Sequence, residues 1–158
     1  MTTQRLRDVA RAVQLRLQRF YALEDGPDVA EFVQVTSDGE REELLVRTED
    51  DTVELSLSIP EPSETKHGSL DRYLQLVEGV SHFVYVAERA RVALPATALE
   101  LELQAEVDKL VVLGGGEGLH GERARSLHER LYGSVRFLHP EGTEEGQRYR
   151  LANRLAAR

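Results

Sequence analysis

The sequence predicts an α+β domain in which an N-terminal helix and a three-stranded antiparallel β-meander precede a mainly helical C-terminal half. Three patterns predict this class. Apolar residues recur every three or four positions near the N-terminus, apolar and polar residues alternate over residues 53–59, and strong helix formers fill most of the chain after residue 69. The 158 residues, of which 41% are hydrophobic and 30% charged, suit one domain with its own core. We therefore treat residues 1–158 as a single domain.

Residues 1–22 form the first predicted element, a basic amphipathic helix. Its apolar residues, such as Leu6 and Val13, lie on one helical stripe, and Thr2 or Thr3 is available as the N-cap. The segment contains five arginines and one aspartate. Because the arginines are spread over the broad arc opposite the stripe, we interpret them as a solvated face rather than a phosphate- or lipid-binding surface.

Residues 28–60 form the predicted acidic β-meander. Alternation over residues 53–59 places one face of the last strand in a core and the other in water. The Ser-Asp-Gly sequence at 37–39 and the Glu-Asp-Asp sequence at 49–51 are the predicted turns. Across residues 23–68, 14 acidic side chains face only three basic ones. This charge disfavours nucleic acids and anionic lipids as partners and favours a protein partner with a basic surface.

Residues 69–158 form the predicted mainly helical part. Its first helix runs to about residue 91 or breaks at Gly79 before a short strand over 82–87, and we favour the uninterrupted helix. Another helix is predicted over 122–132, with a continuation towards residue 138. A last helix opens at Thr143.

Residues 99–108 alternate strictly between apolar and polar residues, as a strand would. Their composition is nevertheless that of a helix, and Thr97 with Glu100 matches a capping box, so we predict a helix over 98–113. Apolar side chains, Leu101 among them, would lie on two opposite sides of this helix. The helix is therefore buried between two neighbours, or between its own domain and a partner chain, and we expect a homo-oligomer.

Gly116, Gly118 and Gly121 match the Gly-x-Gly-x-x-Gly pattern of loops that bind a pyrophosphate. In a dinucleotide-binding fold, residues 109–113 would have to form a strand, yet they continue the helix that follows the capping box. Only 37 residues follow Gly121 in the 158-residue chain, which is too few for the rest of such a sheet. We interpret the glycines as an interhelical loop and keep nucleotide binding as an alternative.

Glu78 and His82 lie four residues apart and would share one face of a helix, as metal ligands do in helix bundles. Glu102 or Glu106, together with His128, could complete a carboxylate-rich metal site. We keep a small enzyme with this site as a second alternative. The leading expectation includes neither a metal nor another cofactor.

No cysteine is present, which removes disulfides, thiol catalysis and cysteine-rich zinc sites. The longest apolar run, over 83–87, is far shorter than the roughly twenty residues that span a membrane. The N-terminus lacks the compact apolar region of a secretory signal, so we expect a cytoplasmic protein. Since no catalytic constellation emerges, we expect a non-enzymatic protein–protein interaction module, such as an adaptor, that self-associates and does not bind nucleic acid.

The predicted order of one helix, three antiparallel strands and a further helix in a small acidic chain is similar in outline to class I type III secretion chaperones. The resemblance covers about residues 3–85 and rests on element order. It implies a chaperone-like function in binding a protein partner. The long helical second half departs from that pattern.

Overall fold

The computed structural model describes residues 2–24, 26–37, 41–49, 52–60, 69–115, 121–133, 135, 137 and 139–158. Its elements are α1 (Thr3–Tyr21), α2 (Val29–Phe32), β1 (Val33–Thr36), β2 (Glu43–Glu49), β3 (Thr52–Pro60), α3 (Ser69–Arg91), α4 (Ala98–Gly114), α5 (Gly121–His128), a π-helical turn (Glu129–Gly133) and α6 (Glu144–Ala156). One sheet is followed by a helical half, so the predicted α+β class is confirmed.

The three strands form a mixed sheet in the order β1-β3-β2. β2 and β3 pair antiparallel, with Leu44 opposite Leu57, whereas β1 runs parallel to β3, with Val33 opposite Leu57. The predicted all-antiparallel meander is therefore wrong. β3 contains the buried residues Leu57 and Ile59 and lies at the centre, where a neighbour covers it on both sides. Local alternation predicts strands but does not specify which strand pairs with which.

The connections around the strands differ from the prediction at one point and lie outside the described residues at others. The short helix α2 was not expected; the Asp28 side chain caps it by accepting a hydrogen bond from the backbone N–H of Ala30. Residues 38–39 and 50–51, which belong to the two predicted turns, are not among the described residues. β1 and β2 are not neighbours in the sheet, so these two strands do not form the hairpin that the first of the turns predicts.

α1 packs its apolar stripe against α3 and the sheet. Val13 and Leu17 are buried and share one core with Leu57 of β3 and Phe83 of α3. The Thr2 side chain accepts a hydrogen bond from the first turn of α1, which confirms one of the two expected N-caps. Burial of this stripe is what holds the N-terminal helix on the rest of the fold.

The two long helices α3 and α4 form the centre of the helical half. α3 is uninterrupted, so residues 82–87 are helical as favoured. The capping box of Thr97 and Glu100 begins α4, and Gly115 ends it in the left-handed conformation. α4 packs between α3 and α6, so its two-sided apolar pattern reflects two neighbouring helices of the same chain. The last helix begins after Thr143, as predicted.

The helix predicted over 122–132 forms as α5 and the π-helical turn and ends at Gly133. Its expected continuation towards residue 138 therefore reaches Gly133 but is wrong at residues 135 and 137, which are not helical, and residues 134, 136 and 138 lie outside the described chain. Among the described residues, no helix combines the length and the apolar composition that a membrane span requires.

Candidate functional site

Charged side chains from four elements meet in a largely buried group, which we call the charged cluster. It is built from the residues before β2, from α3, from α4 and from α6. Its members are Arg41, Glu42, Glu78, His82, Glu102, Glu106, Lys109, Arg148 and Tyr149. Buried charges are costly unless they are paired, so such a concentration needs a specific structural or functional explanation.

Helical spacing and one glycine bring these residues together. Glu78 and His82 are one turn apart on α3, and Glu102 and Glu106 repeat that spacing on α4. Gly79 lets the chain before β2 come close to α3, because a Cβ at this position would lie 3.3 Å from the Cγ of Glu42. The cluster therefore depends on the packing of α3 against both α4 and the sheet.

Glu78 is the centre of the ion pairs. Arg41 Nη2 donates to both carboxylate oxygens over 3.1 Å, and Lys109 Nζ donates to Oε2 over 2.8 Å. Burial by itself would raise the pKa of Glu78, but the positive charges of Lys109 and Arg41 outweigh it and lower the pKa to about 2. Glu78 is therefore ionised at neutral pH although only 3% of its side chain is exposed.

Glu42 and Glu102 are buried carboxyl groups whose negative charge is balanced less well by nearby cations than that of Glu78. Burial and then the charge of Glu78 raise the pKa of Glu42 to about 8 and that of Glu102 to about 7. The Glu42 side chain is only 4% exposed, and its Oε2 has no hydrogen-bond partner in the described part of the chain. Arg148 Nε lies 3.8 Å from Glu102 Oε1, too far for a hydrogen bond. These two carboxyl groups hold negative charge less readily than Glu78 does.

His82 presents an unpaired ring nitrogen within the cluster. Burial lowers the pKa of its imidazole, which also forms a hydrogen bond with the backbone of Leu101. The other nitrogen, Nε2, is buried and has no partner among the residues described. One ligand atom each from Glu78, His82 and Glu102 lies within 4.8 Å of the other two. The arrangement offers one imidazole and two carboxylates to a cation.

Three of the residues that the sequence singles out as metal ligands are thus brought together, and two others have different partners. Glu106 accepts a hydrogen bond from Lys109 over 2.8 Å. His128 is not in the group of three: its Nε2 lies 3.0 Å from the carbonyl oxygen of Ala157, and its ring packs edge-on against Tyr132.

The sequence gives no signal for Arg41 and Glu42, because they precede an edge strand and reach α3 only through the tertiary packing. Lys109 had a recognisable signal, since it follows Glu106 by three residues on the same helix.

A narrow cleft of about 110 Å³, lined in part by Arg41, Lys109 and Tyr149, opens onto Glu78 from the α6 side.

The glycine motif follows α4 in the sequence. Gly116 and Gly118 are outside the described residues, and Gly121 is the first residue of α5, with a φ of +67°. Residues 109–113 belong to α4, so the strand that a dinucleotide-binding motif requires before its glycines is not formed there.

A second candidate site is the outer edge of the sheet. β2 pairs with β3 on one side only, and no strand of the described chain pairs with its other side. Leu45 is 54% exposed and Val46 is 47% exposed, so β2 presents two large apolar side chains to solvent. An edge strand presents unpaired backbone N–H and C=O groups, so it can accept a further strand.

Comparison with known proteins gives no match to any family model, curated protein or solved structure.

Proposed function

We propose that the protein is a non-enzymatic protein–protein interaction module that self-associates through the β2 edge. The observation that carries the proposal is the unpaired outer side of β2 with the exposed residues Leu45 and Val46. A free strand edge with apolar side chains favours addition of another strand. We propose a second copy of the chain as the first occupant, in a symmetric dimer with one continuous sheet.

The sequence of β2 supports one register for this pairing. If a two-fold axis passes through Leu45, two antiparallel copies of β2 place Leu45 opposite Leu45 and Leu44 opposite Val46. The same register places Glu43 opposite Arg47 on both sides of the axis. Opposed apolar residues and opposed opposite charges both stabilise antiparallel pairs. In this register the edge of β2 is complementary to a second copy of itself, because apolar residues lie opposite apolar residues and Glu43 lies opposite Arg47.

A register shifted to a two-fold axis at Val46 is less favourable. It places Glu43 opposite Glu49 twice, which brings like charges together, and it places Leu45 opposite Arg47. Arg47 is free to pair across the dimer, because its ion pair with Glu54 within the chain is long, at 3.9 Å, and strongly exposed. Charge thus selects between the two registers.

The acidic character of the sheet supports a second partner of basic surface. Glu43, Glu49 and Glu54 are exposed on β2 and β3, and the sequence around them is acidic. In an adaptor or chaperone-like function, the dimer would present this surface to a positively charged segment of another protein. The absence of cysteine from the sequence suits the reducing cytoplasm, where we place this function.

Molar mass in solution tests the self-association. We expect light scattering over a range of concentrations to give the mass of a dimer for the wild type and of a monomer for Leu45→Glu, which buries charge at the two-fold axis. The matched control is Leu15→Glu, on α1, because Leu15 is exposed to nearly the same degree, at 53%. It should remain a dimer.

A charge exchange tests the register. Glu43→Arg places arginine opposite Arg47 and should weaken the dimer, whereas the double variant Glu43→Arg/Arg47→Glu should restore it. A wild type that is monomeric at every concentration would overturn the proposal. A dimer that Leu15→Glu disrupts and Leu45→Glu does not would show that the contact lies on α1 instead.

A further inference from the structure

The charged cluster brings three side chains that can ligate a metal close to one another, and one of them has an unpartnered nitrogen within the described residues. Glu78 and His82 on α3 and Glu102 on α4 each offer one ligand atom, and all three atoms lie within 4.8 Å of one another. Around one metal ion, neighbouring ligand atoms lie closer together than this, so small side-chain movements would complete the coordination. α3 and α4 pack directly on each other, so the three residues lie on facing sides of neighbouring helices.

The orientation of His82 points to a cation. Its ring forms one hydrogen bond, with the backbone of Leu101, and leaves Nε2 buried without a partner in the described chain. A histidine that ligates a metal is typically held in this way, with one ring nitrogen fixed by a backbone carbonyl and the other free for the ion. A second buried atom near Glu78, Oε2 of Glu42, is also without a partner in the part of the chain that is described.

The charges of the cluster leave room for a positive ion. Four carboxyl groups, those of Glu42, Glu78, Glu102 and Glu106, face three cationic side chains, those of Arg41, Lys109 and Arg148. A fully ionised cluster is therefore negative overall. A bound cation would compensate the surplus negative charge.

The contacts that the three side chains already make indicate which of them is most available to a metal ion. Both oxygens of Glu78 already accept hydrogen bonds from Arg41 and Lys109. His82 Nε2 has no such bond, and the carboxylate of Glu102 has a hydrogen bond with the neutral Tyr149 side chain and a distant guanidinium, that of Arg148 at 3.8 Å. The ion would therefore lie nearest to His82 and Glu102, with Glu78 as the third ligand.

We propose that His82, Glu102 and Glu78 form a binding site for one divalent transition-metal ion of the zinc class. An imidazole nitrogen with two carboxylates suits such an ion, whereas Mg²⁺ and Ca²⁺ prefer sites made of oxygen alone. The ion would connect α3 to α4 beside the ion pairs of Glu78. This site is independent of the β2 edge and would be present in a monomer as well as a dimer.

Zinc titration of the full chain by calorimetry tests the site. We expect the wild type to bind one Zn²⁺ per chain and His82→Gln or Glu102→Gln to lower the affinity by more than about tenfold. His128→Gln is the matched control, because His128 lies outside the three ligands and bonds to Ala157. It should bind zinc like the wild type.

A further variant distinguishes a metal site from a purely structural ion cluster. Arg148→Gln removes the cation that competes for Glu102, so it should tighten zinc binding, and this test does not require His82 to be altered. Co²⁺ gives an independent reading, since its visible absorption reports the ligands directly. Failure of the wild type to bind Zn²⁺ would overturn the proposal, as would a loss of affinity in His128→Gln equal to that in His82→Gln.

Discussion

Lys109 on α4 donates from Nζ to Oε2 of Glu78 on α3 over 2.8 Å, and both side chains are almost entirely removed from water, with 11% and 3% exposed. The pair joins the two central helices at the point where the charged cluster forms. A buried pair adds little compared with two apolar residues, but losing one partner leaves the other as an uncompensated charge. The fold therefore requires the two residues together.

Lys109→Met should lower the free energy of unfolding by about 3 kcal/mol, the low end of the range for a broken buried pair, because Arg41 still pairs with Glu78. Urea denaturation measures the change. Adding Glu78→Gln to Lys109→Met removes the carboxylate that has lost one of its cationic partners, so the double variant should be more stable than the sum of the two single changes predicts. Strict additivity would contradict a direct interaction.

Gly79→Ala should destabilise the protein by about 2 kcal/mol although alanine favours a helix. The new Cβ would lie 2.9 Å from Cδ1 of Leu57, whose side chain is fully buried and cannot move aside. It would also press on Glu42 and so disturb the charged cluster. Gly142→Ala is the control, because a Cβ there meets nothing within 4 Å. Thermal unfolding of both variants tests this prediction. Equal melting temperatures would contradict the close approach of Leu57 to Gly79.

The helices were predictable because their signals are local. The capping box of Thr97 and Glu100 overrides a strand-like alternation over the residues that follow it, and the apolar stripe of α1 identifies its buried face without knowledge of the fold. The order of the strands was not predictable, because alternation is the same whether β1 pairs with β2 or with β3. Long-range burial of Leu57 and Ile59 determines that choice.

The residues of the candidate site likewise include some that local sequence patterns predict and some that depend on the tertiary fold. Helical spacing predicts that Glu78 and His82 share a face, and Glu102 was one of two carboxylates expected beside them. His128 follows the same reasoning and yet lies elsewhere, since its position depends on how α5 and the π-helical turn are placed against α6. The participation of Arg41 depends on the sheet order, which the sequence does not reveal.

Asp108 is a buried carboxyl group whose charge is replaceable but whose hydrogen bonds are not. Its Oδ1 accepts from Tyr21 and Gln104 over 2.7 and 2.8 Å, and its Oδ2 accepts from Ser81 over 2.6 Å. Asp108→Ala removes the acceptor of the Tyr21 and Ser81 hydroxyls and leaves Gln104 with its bond to the Tyr21 oxygen, so it should cost about 3 kcal/mol of stability. Asp108→Asn keeps the shape, because the Ser81 hydroxyl can rotate to accept, and should stay within about 1 kcal/mol of wild type by urea denaturation.

The stability difference between the wild type and Asp108→Asn should depend on pH. Burial raises the pKa of Asp108 above its ordinary value of 3.8, so between that value and the raised pKa the folded protein binds more protons than the unfolded chain. The free energy of unfolding of the wild type must then fall as pH rises through this window, and it stays level above it. Asparagine does not titrate, and other groups largely cancel in the comparison. Urea midpoints at several pH values should therefore show Asp108→Asn gaining on the wild type from acid to neutral pH, and a gain in the opposite direction would mean that the three hydrogen bonds outweigh burial.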